Sequence, residues 1–238
     1  MLVLGGTAEA RELADRLGRE PGVVVISSLA GRVREPRLPA GEVRIGGFGG
    51  ADGLAEWLRG HDIDAVVDAT HPFAAAMTTN AVTACASAGV PVLVLRRPGW
   101  EPEPGWHQVD SLPEAAAALP ALGERIFLTT GRQGVHHFAH LDLHFLVRAV
   151  DPPDPPLPPR HELLLERGPF SRDAEAALLR RHRIDVLVTK NSGGDMTRAK
   201  LDAAADLGVA VVLVRRPPEP DVPAVATAED AVRWLRER

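Results

Sequence analysis

The sequence predicts an α/β chain of two parallel-sheet halves, related by internal duplication, with a cleft between them. Three observations predict it. The first is a set of ordered repeats. Ile63-Asp64-Ala65-Val66-Val67-Asp68-Ala69-Thr70 resembles Ile184-Asp185-Val186-Leu187-Val188-Thr189, and Val92-Leu93-Val94-Leu95-Arg96-Arg97-Pro98 resembles Val211-Val212-Leu213-Val214-Arg215-Arg216-Pro217. Leu2-Val3-Leu4-Gly5-Gly6-Thr7 pairs in the same way with Ile126-Phe127-Leu128-Thr129-Thr130-Gly131, and 109–115 with 225–231, all at offsets of about 120 residues. The second is that the apolar runs are short, continuous and β-branched, as strands buried on both faces are. The third is that helical stretches alternate with them, which feeds a parallel sheet.

The elements follow in order. The first half places strands at 1–4, 23–27, 42–45, 65–68 and 91–95, with helices at 8–17, 51–59 and 73–88. The second half places strands at 126–129, 144–150, 186–189 and 210–214, with its clearest helices at 173–182 and 197–207. Residues 151–160 hold six prolines and read as an extended surface loop. Helices at 112–119 and 228–236 close the two halves at matching places. Each could pack on its own half or cross to the other. The boundary falls between residues 98 and 123, giving domains at 1–110 and 111–238.

Charge and cysteine content narrow the function. A formal charge of −5 argues against gripping nucleic acid by bulk electrostatics. The apolar runs are of strand length, short of the roughly 20 residues that cross a bilayer. The opening Met-Leu-Val-Leu-Gly-Gly has no basic stretch before an apolar one, so no signal peptide is expected. A single cysteine, Cys85, excludes an internal disulfide and suits a reducing, cytoplasmic compartment. In its Ala/Thr-rich helix it reads as a small buried hydrophobe. Lysine occurs only at 190 and 200 among 27 basic residues. Either that is chance, or Lys190 needs a compact ammonium that a guanidinium cannot replace.

Ligands of open parallel sheets bind beyond the carboxyl ends of the strands, and the informative residues follow the strands. The first strand runs through Gly5-Gly6-Thr7-Ala8 into a helix. Gly6, Thr7 and Ala8 there offer backbone approach, free N–H groups and a positive dipole end to a phosphate, or form a plain tight turn. The pattern is not G-x-G-x-x-G. Ser27 and Ser28, then Arg32, stand where a dinucleotide fold would carry the acid that binds the ribose of NAD. Hydroxyls and a guanidinium suit a 2′-phosphate instead, so NADP is favoured. Gly46 and Gly47 open a four-glycine stretch suited to the ribose or adenine side, or to a flexible loop. After the fourth strand, Thr70, His71 and Pro72 set a hydroxyl, an imidazole and a helix start together, Pro72 at the first helical position. His71 could donate a proton or orient an anion.

The matching place in the second half reads Lys190-Asn191-Ser192-Gly193, an anion-binding design for phosphate or for substrate carboxylates. Its lysine precedes the glycines, so it is not a P-loop, which argues against a nucleotide kinase. His136, His137, His140 and His144 are not read as a metal set, because His144 opens an apolar strand and no cysteine or tight His/Asp group joins them.

Leu4-Gly5-Gly6-Thr7-Ala8-Glu9-Ala10-Arg11, Asp68-Ala69-Thr70-His71-Pro72-Phe73-Ala74, Gly168-Pro169-Phe170-Ser171 and Thr189-Lys190-Asn191-Ser192-Gly193-Gly194 together resemble the precorrin-6A reductase family of cobalamin biosynthesis. The likeness runs nearly the whole length of the chain. It implies two Rossmann-like halves and reduction of one double bond of precorrin-6A by NADPH, giving precorrin-6B, without flavin or metal. Reduction of the cobalt-containing precursor and a non-catalytic two-lobed binding module are the alternatives. The first half then carries the NADPH features. Arg97, Arg132, Arg148, Arg167 and Lys190, with Asn191, Ser192 and Gly193, suit a tetrapyrrole bearing many carboxylates. His71 is a candidate proton donor, and transient contact with neighbouring pathway enzymes is the further partner expected.

Overall fold

The computed structural model describes residues 1–31 and 37–238. The chain forms two compact units, one of Met1–Pro98 with Pro217–Arg238 and one of Gly99–Arg216.

Unit 1 contains β1 (Leu2–Leu4), α1 (Ala8–Leu17), β2 (Ile26–Leu29), β3 (Glu42–Ile45), α2 (Gly50–Gly60), β4 (Val66–Asp68), α3 (Ala75–Ala88) and β5 (Val92–Leu95). The chain then enters unit 2 with β6 (His107–Val109), α4 (Leu112–Ala118), β7 (Arg125–Leu128), β8 (His144–Ala149), β9 (Arg160–Leu165), α5 (Arg172–His182), β10 (Val186–Lys190), α6 (Ala199–Leu207) and β11 (Ala210–Val214). It returns to unit 1 for β12 (Ala224–Val225) and α7 (Ala228–Arg236).

Each unit holds a six-stranded parallel sheet, ordered β12-β5-β4-β1-β2-β3 and β6-β11-β10-β7-β8-β9. The order reverses at β1 and at β7, the doubly wound arrangement of dinucleotide-binding sheets. Strand alternation divides the core of unit 1. Val3 faces Leu13, Leu17 and the α7 residues Ala231 and Val232. Leu2 and Leu4 face Leu54 and Leu58 of α2 and Ala81 and Ala84 of α3. In unit 2, Phe127, Leu187 and Leu213 pack under Leu179 of α5 and Leu201 of α6.

The expected domain boundary at 110 is corrected by strand pairing. β6 pairs with β11, Val212 opposite His107, so residues 99–110 belong to unit 2. β12 pairs with β5, Ala224 opposite Val94, and α7 packs on α1, so the chain's end belongs to unit 1. The segments at 107–118 and 224–236, equivalent by the repeat, have each crossed to the other half. The proline stretch is a loop, as expected, but it ends in the edge strand β9.

Candidate functional site

In unit 1 a glycine turn leads from β1 into α1. The Gly5 N–H donates to the Ser28 carbonyl at 2.9 Å, which ties the turn to β2. Gly6 sits at φ 119, where a side chain would be strained, and a Cβ there would meet nothing within 4 Å, so the turn is open. Thr7 caps α1: its Oγ1 accepts from the Ala10 N–H at 3.1 Å and donates to the Ala69 carbonyl at 2.8 Å. Ala8 is the first helical residue. A hollow beside the turn is lined by Gly5, Gly6, Ser27, Leu29 and Arg37. The Ser27 Oγ is buried there with no hydrogen-bond partner among the described residues. An orphaned hydroxyl at this place fits an incoming polar group.

Ser28, expected just beyond the second strand, lies with Ser27 inside β2, because the strand sits two to three residues later than the apolar run suggested. Arg32 falls outside the described residues. Sequence reasoning missed Arg44. The β2–β3 register sets it opposite Ser28. Its Nη1 donates to the Ser28 Oγ at 3.1 Å and to the Gly46 carbonyl at 2.9 Å, and its Nη2 to the Gly47 carbonyl at 3.0 Å. The guanidinium lies 3.8 Å from the Phe48 ring centroid. Burial lowers its pKa. The signal available in the sequence was a cation two residues before the four-glycine stretch of the edge strand.

Beyond β4 the helix start differs from expectation. α3 begins at Ala75, with Ala74 as its N-cap and no side chain capping it. Pro72 is therefore buried in the preceding loop. Thr70 does not cap the helix; its N–H and hydroxyl both bond Asp68 Oδ1, at 3.0 and 2.6 Å. His71 Nδ1 accepts from the Phe73 N–H at 3.2 Å. A neutral ring therefore carries its proton on Nε2, a donor atom. Arg97, expected at the substrate, pairs with Glu9 at 2.6 Å in the first turn of α1.

In unit 2 Lys190 ends β10, and burial lowers its pKa. Gly193 and Gly194 take φ of 67 and 75, which turns the backbone sharply after it. Arg216 holds this loop, donating to the carbonyls of Asn191 at 2.8 Å and Ser192 at 3.1 Å. Two expected ligand residues are committed elsewhere. The Asn191 amide accepts from the Trp100 N–H at 2.8 Å and donates to its carbonyl at 3.0 Å, so it clamps the incoming chain. Arg148 is 7% exposed, pairs with Glu175 at 2.8 Å and lies 4.0 Å from the Phe170 ring centroid, so it is a core cation. Arg132 is half-buried and Arg167 is exposed. His137 has its pKa lowered by burial first, then by His136 and Lys190.

The two units differ where they should be alike. β1 is followed at once by a capped ten-residue α-helix, whereas β7 is followed by Gly131 and a 3-10 turn over Arg132–Phe138. Only the first arrangement presents an α-helical N-terminus at the switch point of its sheet.

Residues 1–236 match the family model described as precorrin-6x reductase CbiJ/CobK. A precorrin-6A reductase of Rhodococcus erythropolis is 61% identical over 241 residues, covering 99% of this chain and 96% of that protein. One of Mycobacterium tuberculosis is 55% identical over 238 residues, covering 99% and 96%. The solved structure of CobK precorrin-6A reductase superposes with a TM-score of 0.91 at 43% identity, covering 99% of this chain and 95% of the other.

Proposed function

Because the chain belongs to the precorrin-6x reductase family, we propose that it reduces one double bond of precorrin-6A with NADPH, giving precorrin-6B, and that its units divide the work. Unit 1 holds the cofactor, and unit 2 holds the carboxylates of the tetrapyrrole. The observation that carries this is the asymmetry of the switch points: only β1 leads through an open glycine turn into a capped α-helix.

The residues fit the cofactor. The backbones of Gly6, Thr7 and Ala8 suit its pyrophosphate, and the orphaned Ser27 hydroxyl lies in the hollow beside them. β2 carries Ser27 and Ser28 where an NAD-specific sheet would carry an acid. Gly46 and Gly47 line the adjoining ribose side, and Arg32 follows in sequence. Thr70, His71 and Pro72 border the end of β4. When bound, NADPH supplies the hydride. The protein then has to position, exclude water and deliver a proton. His71, with its proton on Nε2, is the donor or an orienting group.

On the substrate side the set narrows to Lys190, Ser192, Gly193, Arg132 and Arg167. Arg148 and Asn191 act indirectly, one inside the core and one on Trp100. Hydride transfer needs no nucleophile, and the site needs little beyond cations for the carboxylate rim. A reducing cytoplasm, in which Cys85 stays a thiol, completes the reading.

The test is anaerobic turnover. Protein, NADPH and precorrin-6A mixed together should lose nicotinamide absorbance in step with loss of the precorrin, and a parallel assay on the cobalt-containing precursor compares the two substrates. No NADPH oxidation would overturn the proposal.

A further inference from the structure

We propose that Arg44, together with Ser28, reads the 2′-phosphate of the dinucleotide and so sets the preference for NADPH over NADH. This rests on the reading above that unit 1 holds NADPH.

In a doubly wound sheet whose glycine turn follows β1, the adenosine ribose lies at the carboxyl end of β2, and the group found there decides between a 2′-hydroxyl and a 2′-phosphate. Here that end carries no carboxylate. Ser28 stands in its place, and the register puts Arg44 of β3 directly opposite. Their side chains are joined at 3.1 Å. The serine carbonyl is held by Gly5 of the phosphate turn at 2.9 Å. One hydrogen-bonded chain thus connects the turn, the serine and the guanidinium.

Arg44 is also held in a form suited to an anion. Arg16, Arg97 and Arg172 each have a carboxylate within 4 Å. Arg44 has none among the described residues, and its acceptors are a hydroxyl and two carbonyls. A guanidinium offers five N–H donors. Three are used here, leaving one on Nε and one on Nη2. Phe48 lies under one face at 3.8 Å and fixes the plane. Gly46, at φ 123, bends the strand end so that its carbonyl can reach Nη1. The result is a pre-oriented, partly buried cation without a counter-ion among the described residues. A phosphate dianion supplies the missing charge, and a ribose hydroxyl does not.

The competing role for Arg44 is to brace the glycine loop alone. The two roles predict different ligand dependence. We would measure the affinities of NADP⁺ and NAD⁺ by calorimetry for the full-length chain and for Arg44→Gln and Arg44→Lys. For Arg44→Gln, NADP⁺ binding should weaken by roughly 10- to 100-fold, the worth of lost charge-assisted hydrogen bonds, while NAD⁺ binding changes by less than about threefold. Arg44→Lys should recover part of the NADP⁺ affinity, because it keeps the charge but not the fork. Equal weakening of both ligands, or retention of the NADP⁺ preference in Arg44→Gln, would overturn the proposal while leaving the cofactor reading intact. If the unaltered chain itself shows no preference for NADP⁺, the cofactor reading falls and this proposal with it. Should Arg44→Gln fail to fold, Arg44→Lys gives the same discrimination between ligands.

Discussion

Lys200 shows how far a residue's role can depart from its type. It is 5% exposed, its Nζ donates to the Thr197 carbonyl at 2.8 Å, and it lies 4.9 Å from the Trp100 ring centroid. Burial pushes its pKa down from 10.5 to about 7; Glu175 opposes the shift and Arg148 adds to it. The unfolded chain keeps its proton up to the ordinary value, while the folded chain releases it near neutrality. Below about pH 7 both forms are charged and the cost of the buried ammonium is fully present. Between about 7 and 10.5 the unfolded state binds more protons, so stability rises with pH across that window. Lys200→Met removes the charge at similar volume. It should be more stable than the parent near neutrality by about 1–3 kcal/mol, with the gain shrinking toward alkaline pH. Urea unfolding across that range measures it; a gain that does not change with pH would refute the account. The two lysines stand out in the sequence, yet only Lys190 lies at a strand end. Lys200 is the second residue of α6, where sequence alone cannot tell a snorkelling ammonium from a buried one.

The caps and the short strands set the limits of legibility for elements. Thr7, Ser111, Ser171 and Thr227 each cap a helix by accepting from the backbone N–H three residues on. Such residues are readable, and α1, β3, β11 and α7 fall at the expected residues. β6 and β12 span three and two residues, too short for any period to show. β9 is an exposed edge following prolines, so its side chains carry no burial pattern. Arg44 was hidden for the same reason, since a cation on an edge strand reads as solvated. The glycine turn and the Lys190 loop were legible because glycine and lysine have few other uses at strand ends. The commitments of Asn191 and Arg148 depend on partners far along the chain. Thr7 bears two loads, the cap on α1 and the bond to Ala69 beyond β4. Thr7→Ala should destabilise the protein by about 1–2 kcal/mol, and Thr7→Ser should recover most of it. Thermal unfolding of the pair checks this; equal effects would show that the hydroxyl is not the operative group.

At the scale of the molecule, the repeat made the two halves visible and concealed their exchange. The repeat unit ends with a strand and a helix, at 107–118 and at 224–236, and sequence similarity is blind to which sheet receives them. Packing decides. Leu2, Val3 and Leu4 of unit 1 need cover on both faces, and on the α1 side that cover is Ala228, Ala231 and Val232 of α7. β12 also completes the backbone pairing of β5, accepting the Val94 N–H at Pro223 and the Arg96 N–H at Val225, each at 2.9 Å. A fragment of residues 1–110 therefore lacks the outer strand and one helix of its own sheet, and carries β6 with no β11 to pair with. It should fail to give a cooperative unfolding transition or dispersed amide resonances. Joining residues 217–238 after residue 98 through a short flexible linker supplies β12 and α7 and drops β6. That chain should unfold cooperatively and bind NADP⁺, since the glycine turn, Ser28 and Arg44 all lie within it. A cooperative 1–110 fragment would show that α7 is dispensable. A joined chain that folds without binding the nucleotide would move the cofactor out of unit 1.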